Sequence, residues 1–162
     1  MKKTTIVYIF FLLNVLTTPM FLQAQDKATI TVTIKSLKAT STDACNGKMD
    51  FYAKIHIGEK VKNFPVREGN NLQELNWRFV ATTDKDVITP TIEIWDDDDS
   101  FCGGGDDAVS ISGSINKVRK TLNTSESQNL EYSSIGTSSR NGSEIGQITY
   151  SISIVPIKTK TQ

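Results

Sequence analysis

Apolar and polar residues alternate one by one at both ends of the long middle section of this chain, and a period of two builds strands, not amphipathic helices. Ile30, Val32 and Ile34 alternate with Thr29, Thr31, Thr33 and Lys35. Ile148, Tyr150, Ile152 and Ile154 alternate with Gln147, Thr149, Ser151 and Ser153 before Pro156. Each run reads as an antiparallel strand with one face on a core and one in water. Further strands are expected near Phe51 to Ile57, Val61 to Val66, Asn76 to Thr82, Val87 to Trp95, Val109 to Ile115 and Gln128 to Tyr132. Short strands joined by Gly, Asn, Asp and Ser clusters predict an all-β fold, an antiparallel β-sandwich of about eight strands. The segment Asn116 to Ser127 has room for one helical turn, and Thr137 to Ser143 reads as a polar loop.

The N-terminus bears on the compartment. Lys2 and Lys3 precede an apolar run from Ile6 to Leu16 that is too short to span a bilayer, and Leu22-Gln23-Ala24 offers a small residue for cleavage. Residues 1–24 are therefore expected to be a signal peptide cleaved near Ala24. An uncleaved anchor is the alternative, and either reading exports the domain to a secreted, periplasmic or cell-surface location. Residues 28–157 form the expected sandwich domain and 158–162 a short disordered tail. Losing Lys2 and Lys3 leaves 16 basic against 18 acidic side chains, a balance that argues against a nucleic-acid partner.

Cys45 and Cys102 are the only cysteines, and in an exported protein an even pair in polar loops predicts a disulfide. Two free thiols or an intermolecular link is the alternative.

Chemistry concentrates in the segment from Trp95 to Asp107, where Asp96, Asp97, Asp98, Asp99, Asp106 and Asp107 flank Ser100-Phe101-Cys102-Gly103-Gly104-Gly105. Carboxylates folded this close repel one another unless a cation neutralises them or they point apart into solvent. Ca²⁺ suits such a set, because it takes six to eight oxygen ligands in flexible geometry. A second acidic loop, with Asp43 and Asp50, lies between two predicted strands. A Cys45–Cys102 bridge needs Cα atoms within about 7 Å, and so would draw both loops to one end of the sandwich, with Asp43 and Asp50 facing Asp96, Asp98 and Asp107. An EF-hand reading of Asp96 to Asp107 fails in part, since Phe101 stands where that loop requires glycine.

Gly47-Lys48-Met49-Asp50-Phe51-Tyr52-Ala53-Lys54-Ile55 is similar to the Gly-Lys-Ser-Asp-Pro-Tyr-Val-Lys-Val type sequence that ends the first loop of C2 domains. Asn76-Trp77-Arg78-Phe79 resembles a degenerate form of their Trp-Asn-Glu-x-Phe strand, and Trp95-Asp96-Asp97-Asp98 with a later Asp resembles their third loop. The resemblance covers roughly residues 28 to 155. It implies a β-sandwich holding Ca²⁺ through Asp43, Asp50, Asp96 and Asp98, with Asp107 or Asp106 as the last ligand. Both loops depart from the family by added residues, which include the cysteines and glycines.

The resemblance also implies Ca²⁺-dependent contact with anionic phospholipid membrane surfaces, with Phe101 and Met49 as apolar wedges. For Phe101, packing on the disulfide is the alternative. The competing reading is a structural or adhesive sandwich whose calcium only stiffens the loops and whose partner is another secreted protein or a glycan. No nucleophile–base constellation is placed by the sequence, so a binding module is expected and not an enzyme.

Overall fold

The computed structural model describes residues 27–41, 48–98, 105–137 and 144–158. The expected signal peptide, Asp43, Cys45, Phe101, Cys102 and the end of the tail lie outside the described residues. Strands follow in the order β1 (Ala28–Ala39), β2 (Asp50–Ile57), β3 (Lys60–Asn63), β4 (Arg67–Glu68), β5 (Asn71–Leu72), β6 (Trp77–Thr83), β7 (Val87–Ile88), β8 (Thr91–Asp96), β9 (Asp107–Ala108), β10 (Lys117–Arg119), β11 (Leu122–Asn123), β12 (Gln128–Ile135) and β13 (Gly146–Pro156).

One five-stranded sheet runs β12-β13-β1, with β5 and β6 both pairing the far edge of β1. A six-stranded sheet is built on β2 and β8: β3 and β4 share one edge, β9 and β10 the other. A short pair, β7 with β11, stands apart. All the paired strands are antiparallel. This is the expected all-β sandwich.

Alternation does the folding work. Ala28, Ile30, Val32 and Ile34 of β1 and Ile148, Tyr150, Ile152 and Ile154 of β13 face inward, against Phe51, Ala53 and Ile55 of β2 and Ile92 and Ile94 of β8. Burying a side chain of this size stabilises by roughly 1.5–3 kcal/mol, so these rows account for much of the driving force. In β1 the register slips between Ile34 and Ser36, the inward parity changes from even to odd, and Leu37 becomes the next core residue. One extra residue in a strand turns every later side chain to the other face. Lys35, at the slip, is held by Glu131 at 2.8 Å and accepts the Leu75 N–H on its carbonyl.

Several expectations need correcting. The run Val87 to Trp95 is two strands, since Pro90 lacks the N–H a continuous ladder requires. The strand expected over Val61 to Val66 stops short: β3 ends at Asn63, and β4 begins only at Arg67. Val109 to Ile115 is not a strand: Val109 and Ile111 are buried, but the backbone turns at Gly113 (φ 62°) and leaves Ile115 exposed. The regular strand follows as β10, within the segment read as a helical turn.

Candidate functional site at the acidic end of the second sheet

Antiparallel pairing brings the start of β2, the end of β8 and the start of β9 to one end of the six-stranded sheet. Asp50 opens β2 opposite Glu68, Phe51 lies opposite Asp96, and Asp96 lies opposite Asp107. Three of the expected ligands therefore occupy adjoining positions on neighbouring strands. Asp98 follows two residues after Asp96 and is half-buried.

Asp96 is the anchor of this group. It is 1% exposed, and its Oδ1 accepts the backbone N–H of Asp50. The Asp97 N–H returns a 3.0 Å bond to the Asp50 carbonyl, so β2 and β8 are locked together where both loops leave the sheet. On the flank, Met49 donates its N–H to Asn70 Oδ1 at 3.0 Å, its carbonyl accepts from Gly69, and Lys48 pairs with Glu68 at 2.5 Å. Met49 itself is 0% exposed. Its expected role as a membrane wedge is thus corrected: the side chain fills the core beneath the loop.

Asp106 and Asp107 part company. Neighbouring residues of a strand point to opposite faces, and the Asp106 Oδ2 accepts a 2.5 Å hydrogen bond from the Tyr52 hydroxyl on the outer face. Burial pushes the Tyr52 hydroxyl well above the usual phenol range, and the hydrogen bond and negative charge of Asp106 push it further. Tyr52 lies opposite Trp95, their rings nearly parallel with centroids 6.4 Å apart, and Lys54 sits 5.1 Å over the Trp95 ring.

Further along that outer face, Glu93 pairs with Lys117 at 2.8 Å and with His56 at 3.4 Å. Burial raises the Glu93 carboxyl, but the hydrogen bond and charge of Lys117, with the charge of His56, outweigh it and hold the pKa below the ordinary value. The sequence reading missed the Tyr52–Asp106 and Glu93–Lys117 contacts. Only the outward parity of Tyr52, Glu93 and Trp95 hinted at a shared face.

Among the described residues, no group of three or more His, Cys, Asp or Glu side chains lies close enough to hold a metal. What the residues present do fit is a hard cation in donor type: Asp50, Asp96, Asp98 and Asp107 offer oxygen only, with one carboxylate already desolvated at the strand end.

These two sheets, with acidic loops at one end of β2 and β8, are the C2 fold. A C2 domain of plant extended synaptotagmin 1 is similar over 83% of this chain and 99% of its own, at 12% identity and a TM-score of 0.57. A further C2 domain structure is similar over 78% of this chain and 98% of its own, with 12% identity and a TM-score of 0.52. A C2 domain-containing protein matches 83% and 93% of the two chains at 21% identity and a TM-score of 0.52. Neither a protein-family model nor a curated protein matches the chain.

Proposed function

We propose that this chain is an exported Ca²⁺-binding module, non-catalytic, whose acidic end engages anionic phospholipid surfaces when calcium is held. The observation that carries the reading is the meeting of three acidic residues at neighbouring strand ends: Asp107 lies opposite Asp96 in the register, and Asp96 accepts the backbone N–H of Asp50. Bound calcium would supply positive charge that relieves their repulsion and attracts an anionic headgroup. Asp96 is pre-positioned by the Asp50 N–H; Asp50, Asp98 and Asp107 complete the described part of the ligand set, and Asp43 adds to it from the first loop. Asp107 is the last carboxylate, because Asp106 is engaged by Tyr52. The lysine-led apolar leader supports export, and a Cys45–Cys102 bridge would hold the two loops together.

Calorimetric titration of the chain from Gln25 onward tests the ion: heat of binding and a raised melting temperature at millimolar Ca²⁺ are expected, and absence of both removes the reading. Co-sedimentation with phosphatidylserine vesicles tests the surface. The burial of Met49 favours a second reading, a structural or adhesive sandwich with a protein or glycan partner, because it leaves Phe101 as the only apolar wedge named from the sequence. Calcium binding without vesicle binding selects that reading.

A further inference from the structure

We propose that Asn70 is the positioning residue that sets the calcium affinity of the acidic end, by fixing the backbone that carries Asp50; this rests on the calcium reading. Residues 69–70 link β4, on the edge of β2, to β5, on the edge of β1, and so cross from one sheet to the other. The first acidic loop makes the same crossing, from Ala39 at the end of β1 to Met49 just before β2. Asn70 holds both ends of that loop. Its main-chain carbonyl accepts the Ala39 N–H at 2.8 Å, and its side-chain Oδ1 accepts the Met49 N–H at 3.0 Å. Gly69, at φ 141°, adds a 2.8 Å bond from its own N–H to the Met49 carbonyl.

The two bonds of Asn70 differ in what they require. Any residue offers a main-chain carbonyl, whereas the bond to Met49 needs a side-chain acceptor at position 70. That bond also lands one residue before Asp50, whose own N–H goes to the buried Asp96. Hydrogen bonds thus run from Asn70 through Met49 and Asp50 to Asp96, and the Asp50 carboxylate stands on a backbone that is already set. Calcium affinity depends on the rigidity of the oxygen ligands as well as on their charge. An aspartate at position 70 would supply the same oxygen, but would add a negative charge to an end already crowded with them; the amide orients without charge. The Lys48–Glu68 pair on the same crossover is exposed on both sides, and such pairs contribute little.

Amide exchange and calcium calorimetry on the mature chain test this. In chelator, the Met49 amide is expected to exchange about ten-fold faster in Asn70→Ala than in wild type, while Ile157, bonded to Lys27 at the opposite end of β1, is unchanged. The calcium Kd is expected to rise about ten-fold, as when a group that orients a metal ligand is removed. Asn70→Asp keeps the acceptor and is expected to restore Met49 protection. Ile152→Val, a core truncation in β13, is expected to lower the melting temperature and leave Met49 exchange and Kd alone, which separates positioning from general stability. If Asn70→Ala does not fold, the wild type supplies the readout: calcium is expected to slow Met49 exchange and not Ile157 exchange, because coupling between the bond and the ion is reciprocal. Wild type that binds no calcium removes the calcium reading and this inference with it. Wild type that binds, with Asn70→Ala binding equally, Asn70→Asp left unprotected, Ile152→Val weakened as much, or Met49 exchange unmoved by calcium, overturns this inference alone.

Discussion

Asp96 and Asp50 meet across the end of the β2–β8 pair, the buried carboxylate of one accepting the backbone N–H of the other. That contact gives Asp96 a structural duty separate from any ion. Asp96→Ala strips a half-buried donor of its partner and is expected to cost about 1–3 kcal/mol in urea denaturation without calcium. Asp96→Asn keeps an acceptor oxygen and is expected to retain most of that stability. Both variants are expected to lose calcium binding in calorimetry, so the pair separates the fold role from the proposed ligand role.

The Tyr52–Asp106 bond makes an alkaline prediction. A tyrosine whose folded pKa is raised contributes stability that is present below the unfolded value of about 10 and is lost as pH rises toward the folded one. The melting temperature is therefore expected to fall above about pH 10, and less steeply in Tyr52→Phe. Spectroscopic titration offers a second readout: Tyr150, pushed up to about 12 by burial and then by Tyr132, is expected to ionise late.

Glu93 works in the opposite direction. Its folded pKa is depressed, so its contribution is present above the unfolded carboxylate value of about 4.3 and disappears as pH falls through the folded one. Glu93→Gln is expected to lower stability at neutral pH by about 1 kcal/mol and to flatten the acid limb of the stability curve, as read by denaturant midpoints between about pH 2 and 7.

Met49 separates core from membrane. Met49→Ala is expected to cost about 2–5 kcal/mol in denaturant unfolding, the range for emptying a buried site. Vesicle binding per folded molecule is expected to stay unchanged.

The proposed Cys45–Cys102 bridge is checked by peptide mapping with and without reductant. A linked peptide pair is expected, and reduction is expected to weaken calcium binding because the loops would lose a tether.

The strands that could be read from the sequence are those where alternation runs unbroken: β1 as far as Ile34, β2, β6, β12 and β13. What escaped was set by geometry that leaves no period. The slip after Ile34 is visible only against the register of β13, and Ile115 continues the parity of Val109 and Ile111 although the chain has already turned at Gly113. The site divides in the same way. Asp50, Asp96 and Asp107 stood out as residue types, and pairing brought their strand ends together. That Asp106 serves the opposite face depends on Tyr52, which sequence spacing does not connect to it.

The five-stranded sheet carries one more consequence, for synthesis. Its central strand, β1, is made before every strand it pairs with, yet it lies beside β13, with Ala28 opposite Pro156. On its other side β5 and β6 leave one edge of β1 uncovered until β13 has emerged. Closure across so long a stretch of chain is slow, and a nascent chain lacking β13 has no complete core. Molecules truncated before Gly146 are expected to remain protease-sensitive, whereas full-length chains resist. A polypeptide that stays open until β13 arrives keeps the unfolded form that the proposed export through a translocation channel would need.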